Sequence, residues 1–290
     1  MAISTAAFKS QLEALRKHHE LVHLSDWMTQ AQSGAPLPKS AIAVTFDDGW
    51  ADNYQHAYPL LARYQVPATL FLATDYISTN DWFWPERLAR VIAKGWPDMR
   101  RHPAFTWIEK LLPPDADSGR LSRTDIHCMI SAAKSHGDTE LRRRIELAER
   151  TAGIGRPQTR ALLTWDETRN MTTSGLVELG SHTRTHQRLD ATLSHSSLEH
   201  EVVGSSNQIV KETGVKPVLF CYPNGNRSDD AEAVVRRHYS GACTTVRGCN
   251  TRNTDPFRIA RIGIHQGMGT STALFRFHLS CLNRQESVRE

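Results

Sequence analysis

Short runs of apolar and β-branched residues recur at 41–46, 68–73, 176–180, 218–220 and 241–245, each stopped by polar or turn residues and all but the last followed by a stretch of helical spacing. Runs this short, without polar alternation, read as strands buried on both faces. Strands separated by helix-length segments must lie parallel, with the helices outside them. The helical stretches fall at 4–19, with Ser4 or Thr5 as N-cap, at 52–64, at 164–174, at 197–213 and at 229–238. Thr164 and Glu167 have the spacing of a capping box. A short strand at 21–24 and a helix opening at Ser25 precede the first run, and Arg261-Ile262-Gly263-Ile264 reads as a last short strand ending on His265. The fold class is therefore α/β, built as a barrel or a doubly wound sheet.

From about 81 to 160 the pattern changes. Helical periods at 85–94, 104–112, 122–135 and 138–151 follow one another without a strand, broken by Gly95-Trp96-Pro97 and Pro113-Pro114. This stretch reads as a helical insertion in a single domain covering 1–290, with Trp82, Phe83, Trp84 and Trp107 in its core. A length of 290 residues is ample for such a core.

Composition narrows the class further. The net charge of +4 is scattered rather than gathered with aromatics into a basic patch, which argues against a nucleic-acid partner. No apolar run approaches membrane-spanning length, and the N-terminus lacks the basic and apolar regions of a secretory signal. Cys128, Cys221, Cys243, Cys249 and Cys281 include no CxxC pair, so free thiols and a cytoplasmic location are expected.

The first apolar run ends on Asp47-Asp48-Gly49. Asp-Asp-Gly is a turn signal in its own right. At a strand end, however, the pleat relaxes and both carboxylates can turn towards one pocket, where repulsion requires a cation partner or a raised pKa. The run at 176–180 is followed at once by Ser181-His182-Thr183-Arg184-Thr185-His186, two histidines four apart at another strand end. Two imidazoles and one carboxylate of the Asp pair make three protein ligands with positions left open, the layout of a catalytic metal site. A structural zinc site would close with four ligands, usually thiolates. The second carboxylate is left free as a base.

Thr45-Phe46-Asp47-Asp48-Gly49 and Ser181-His182-Thr183-Arg184-Thr185-His186 resemble the first two motifs of the NodB-homology polysaccharide deacetylases, carbohydrate esterase family 4. The resemblance extends from about Phe8 to Ile264 and includes Leu163-Thr164-Trp165 and Tyr222-Pro223-Asn224-Gly225. It implies a deformed (β/α) barrel of about seven strands, and metal-dependent removal of acetyl groups, N-acetyl first, from a glycan or oligosaccharide. It also implies Asp47 as general base, Asp48, His182 and His186 as ligands of one divalent ion, and Tyr222, Pro223 and Asn224 as the substrate and oxyanion segment. His265 stands as the general acid of the fifth motif. Zn²⁺ is the first expectation for the ion, with Co²⁺, Ni²⁺ and Mn²⁺ as alternatives. Two motifs depart from the family pattern. The third begins with Cys221 where relatives often carry an arginine, which leaves Arg258 or Arg261 to orient the base. No tryptophan follows Trp165, so the fourth motif's Asp-Trp pair has no counterpart.

In this reading water attacks the acetyl carbon while Asp47 takes its proton, and His265 protonates the departing amine, which could not leave as an amide anion. Three rivals share the same residues. A non-haem Fe(II) oxygenase uses the same ligand set but gives Asp47 no task. A glycan-binding homologue with weakened turnover fits the altered motifs. A deformylase or other sugar amidohydrolase needs the same chemistry.

Overall fold

The computed structural model describes residues 3–96, 98–117, 119–265 and 271–280. Within them the chain divides into two compact units, 1–79 with 162–290, and 80–161.

In the first unit the apolar runs become parallel strands. β1 (Glu20–Leu21) pairs with β2 (Ala41–Ile42), and a five-stranded sheet runs β3 (Val44–Phe46), β4 (Ala68–Leu72), β5 (Val177–Ser181), β6 (Leu219–Cys221), β7 (Gly241–Cys243) in that spatial order. All pairs are parallel. A doubly wound sheet would reverse its order at a switch point. Sequential order means that every crossover turns the same way, so the sheet curls as an open, deformed barrel. Ala43 separates β2 from β3, so the first apolar run forms two ladders instead of one strand, and its residues are half-buried rather than fully buried. Phe46 is covered there by Phe8 of α1 (Thr5–His18), edge to face at 5.9 Å.

Side-chain alternation sorts the core. On β6, Leu219 and Cys221 face inwards with Phe71, Cys243, Ile259 and with Leu24 and Met28 of α2 (Leu24–Ser33). Phe220 faces the other way, into a cluster with Tyr222, Val202 and Val235 beneath α9 (His195–Thr213) and α10 (Asp229–His238). Gly180 on β5 is needed for close packing, because a Cβ there would lie 2.3 Å from the Phe71 ring. Between β3 and β4 the chain passes through a π-helical turn (Asn53–Ala57) into α3 (Tyr58–Tyr64).

The second unit has its own core and, among its described residues, no strand. Trp84, Leu88 and Val91 of α4 (Trp84–Gly95), Trp107 of α5 (Thr106–Glu109), Met129 of α6 (Arg123–Ala133) and Leu141 and Ile145 of α7 (Asp138–Thr151) bury one another. In the first unit α8 (Trp165–Thr173) follows, opened by a complete capping box between Thr164 and Glu167. A last helix, α11, spans Thr272–Ser280.

The predicted strand at 261–264 is not formed; the backbone there is irregular. Its pairing has been used upstream. Ile259 makes the parallel bridge to Cys243, and the Asn250 amide both accepts from the Ala260 N–H and donates to the Ala260 carbonyl.

Candidate active site

Asp47 and Asp48 leave β3 in a tight turn in which the Gly49 N–H donates to the Asp47 carbonyl at 2.9 Å. Asp48 and Gly49 both have left-handed backbone, φ 74° and 86°. Asp tolerates this region better than most residues, and Gly pays no steric penalty in it. The turn abolishes strand alternation, so the two carboxylates flank the same imidazole. Asp48, His182 and His186 offer donor atoms that lie within 4.8 Å of one another, as do Asp47, His182 and Cys221. Asp48 Oδ1 stands 3.4 Å from each histidine Nε2, and its Oδ2 accepts from Trp50 Nε1 at 2.9 Å.

His182 sits where β5 ends and is almost fully buried. Its Nδ1 lies 2.7 Å from the Cys221 carbonyl, which can only accept, so Nδ1 carries the proton and the lone pair of neutral His182 is on Nε2, facing Asp48. Burial disfavours a proton on that nitrogen most strongly, yet the Asp48 hydrogen bond and the charges of both aspartates outweigh it and raise the His182 pKa. For Asp48 burial works against ionisation, and hydrogen bonds and charge from the histidines overcome it, leaving the carboxyl well below its ordinary range.

The cation partner that two adjacent aspartates require is Arg261. Its Nη1 and Nη2 donate to Asp47 Oδ1 and Oδ2 at 2.7 and 2.8 Å, its Nε to the Thr244 carbonyl at 2.9 Å, and Nη2 also to Cys221 Sγ at 3.1 Å. Burial alone would raise the Asp47 pKa, but the Arg261 charge and its hydrogen bonds bring it below the usual value. Burial pushes the Cys221 thiol well above its ordinary pKa, so the group is an S–H, 3.6 Å from Asp47 Oδ2. Of the two arginines left open by the sequence, Arg258 is committed elsewhere, to Glu232. Cys221 was missed as a site neighbour, although strand alternation already places it on the face opposite to Tyr222.

The third-motif segment departs from expectation in one respect. The Tyr222 side chain is fully buried in the outer cluster with Phe220 and Tyr239, and Pro223 is buried as well. Neither offers a side chain to a substrate. Asn224 is exposed, with left-handed backbone at φ 54°. His265 is half-buried beyond the irregular segment, and among the described residues no hydrogen bond or ion pair joins it to Asp47, Asp48, His182 or His186.

A parallel barrel carrying an Asp-Asp turn and an HxxxH loop at the ends of its strands defines a class of hydrolases that work through a divalent ion. The family model described as polysaccharide deacetylase matches residues 34–103 and 130–239, more than half of the chain, and the chain belongs to that family. It is similar to poly-β-1,6-N-acetyl-D-glucosamine N-deacetylases over a limited stretch. The protein of Staphylococcus aureus is 29% identical over 82 residues, 28% of this chain and 28% of that one. The protein of Staphylococcus epidermidis is 35% identical over 81 residues, 27% of this chain and 28% of that one. The matched stretch thus spans little more than a quarter of the length of these relatives. Among solved structures, the Streptococcus pyogenes deacetylase PplD in complex with acetate superposes with a TM-score of 0.63 at 16% identity, covering 98% of this chain and 88% of that one. IcaB from Ammonifex degensii gives 0.62 at 16% identity, covering 96% and 89%. These likenesses establish the deformed-barrel fold.

Proposed function

We propose that the protein removes N-acetyl groups from an amino-sugar glycan by metal-dependent hydrolysis. The observation that carries this reading is a carboxylate, Asp47, fixed by a bidentate arginine beside a separate three-donor cluster, Asp48, His182 and His186. The donor set fits a divalent ion: two imidazole nitrogens, one of them with its tautomer already set, and a carboxylate oxygen, three of the four or more donors such an ion takes. Two imidazoles and a carboxylate are a donor set that Zn²⁺ takes in hydrolytic sites, and a base beside the cluster suits hydrolysis, which makes Zn²⁺ the first choice. When bound there, such an ion acidifies a water molecule and polarises the acetyl carbonyl.

The chain's own residues do the rest. Asp47, kept ionised by Arg261, accepts the water proton through the lone pairs that the guanidinium leaves unused. Pro223 has no N–H, and those of Tyr222, Gly225 and Asn226 donate to the carbonyls of Cys243, Tyr222 and Pro223. The Asn224 N–H makes no such bond among the described residues, and the resemblance to the family gives it the developing oxyanion to stabilise. His265 delivers the proton that the departing amine needs. The N-deacetylase activity for which the staphylococcal relatives are named supports an N-acetylglucosamine polymer as substrate.

The deciding experiment measures acetate and formate release, with metal added back, from N-acetylglucosamine oligomers and acetylxylan. Acetate from the former is expected. Formate alone would make the protein a deformylase, and binding without turnover would make it a glycan-binding homologue. His265→Ala should cripple amide substrates and spare an activated aryl acetate, whose phenolate leaves unaided. Equal losses on both would remove the acid role.

A further inference from the structure

The two histidines of the HxxxH loop are held by different means. His182 ends β5 and is fixed by the sheet and by the Cys221 carbonyl. His186 lies beyond a loop whose backbone is unfavourable by itself: Thr183 and His186 both have left-handed φ, 65° and 55°. For a β-branched residue such as Thr183 this is a strained conformation, and it persists only where the surroundings over-determine it.

What surrounds the loop is Glu201, a carboxylate on α9 that is only 7% exposed. Its Oε2 accepts from two successive backbone N–H groups, those of Arg184 and Thr185, at 2.9 Å each, and its Oε1 accepts from Thr185 Oγ1 at 2.8 Å. Consecutive N–H groups converging on one anion form a concave nest that stabilises left-handed turns. Here the anion belongs to the protein. The other side of the loop is tied to the chain after β4, where Thr74 and Asp75 N–H groups donate to the Thr183 and Arg184 carbonyls and Asp75 accepts from Arg184 Nε. Every one of these bonds lies between the two histidines.

We infer that Glu201 is a positioning residue for metal binding: its carboxylate folds residues 183–186 into the turn that brings His186 Nε2 to the same point as Asp48 and His182. The inference rests on the metal-site reading above. Glu201 touches neither the ion nor the substrate, so its loss acts on the geometry and strength of coordination.

The test uses the full chain stripped of metal and titrated with Co²⁺ against a chromophoric chelator, with the visible d–d spectrum recorded at saturation. Failure of the wild type to bind Co²⁺ would sink the metal-site reading and this inference together. With a wild type that binds, Glu201→Gln should bind about 10- to 100-fold more weakly, the usual effect of removing a group that orients a ligand, and its d–d bands should shift. A merely structural role would lower the melting temperature of the metal-free protein and leave affinity and spectrum alone, and that result would overturn the inference while the metal site stood. Should Glu201→Gln fail to fold, Thr185→Val decides, since it removes the Oγ1 bond to Oε1 and keeps the carboxylate and both backbone N–H groups that meet Oε2. Weaker binding with a shifted spectrum supports the role, and unchanged binding rejects it.

Discussion

Asp47 is fixed by a partner 214 residues away, and that pairing decides how it can act. Without Arg261 the part-buried carboxylate would hold its proton more tightly, because desolvation and the Asp48 charge would then be opposed only by the charge of His182. Arg261→Met should therefore move the acid limb of the kcat/KM profile to higher pH: the base works only when ionised, and its pKa rises. The same substitution should cost about 1–3 kcal/mol of stability, because it strands one member of a pair whose side chains are 18% and 30% exposed and so partly screened. An unshifted acid limb in a folded variant would show that Asp47 is not the titrating base. Asp47→Asn should keep metal while losing about 10²- to 10⁴-fold in rate, whereas His182→Ala and His186→Ala should lose the metal itself, as metal analysis of the purified variants would show. The aspartates and histidines of the site were legible because Asp47-Asp48 and His182 directly follow apolar runs, His186 stands four residues beyond His182, and strand ends in parallel sheets share one rim. Arg261 was legible only as one of two arginines. Nothing local distinguishes it from Arg258, and the choice is made by which guanidinium the irregular backbone after Ile259 turns inwards. Cys221 could have been assigned from alternation alone. The burial of Tyr222 in the outer cluster is the same alternation seen from the other face.

At the level of elements, the segment that delivers Arg261 is tied to α10 through Glu232. This carboxylate has 9% side-chain exposure and accepts from Arg227 Nε at 2.9 Å, Arg236 Nε at 2.9 Å and Arg258 Nε at 3.2 Å. Burial would raise its pKa, but the hydrogen bonds from Arg236, Arg258 and Arg227 overcome that and bring it down to about 2. An unfolded-state glutamate titrates near about 4.3. The folded value is the lower one, so the stabilisation is fully present above about pH 4.3 and drains away as pH falls towards 2. Arg236 and Arg258 are 38% and 51% exposed, so solvent screening discounts the network to about 1–2 kcal/mol. Urea unfolding of Glu232→Gln should show that deficit at pH 7 and a gap to the wild type that narrows below about pH 4.3 and closes only as pH approaches 2. A gap independent of pH would assign the loss to packing. This network also shows why the last predicted strand failed: its apolar spacing was genuine, but Ile259, Asn250 and Glu232 had already committed the backbone and side chains of 258–261 elsewhere.

For the whole molecule, the consequence concerns the helical unit at 80–161. Of its aromatics read from the sequence as core, Trp84 and Trp107 pack with its own helices and Phe83 is buried, whereas Trp82 is only half-buried. The residues at which the chain leaves and re-enters the first unit are neighbours there: Ser78 N–H donates to the Leu163 carbonyl at 2.8 Å, and Ser78 Oγ accepts from the Trp165 N–H at 2.9 Å. A chain that departs and returns at one point can be rejoined without stretching, and closing a short flexible loop between adjacent ends costs little entropy. The metal-site residues, the Arg261 pair and the Glu201 nest all belong to the first unit. Replacing 80–161 with a few Gly and Ser residues should therefore leave a protein that unfolds cooperatively and binds one divalent ion per chain. Far-UV circular dichroism with thermal unfolding tests the first expectation, and Co²⁺ titration the second. A variant that folds and binds Co²⁺ but no longer deacetylates an oligosaccharide would place substrate recognition in the helical unit. A variant that cannot fold would show that 80–161 completes the core of the first unit, and the two compact units would then be one folding domain.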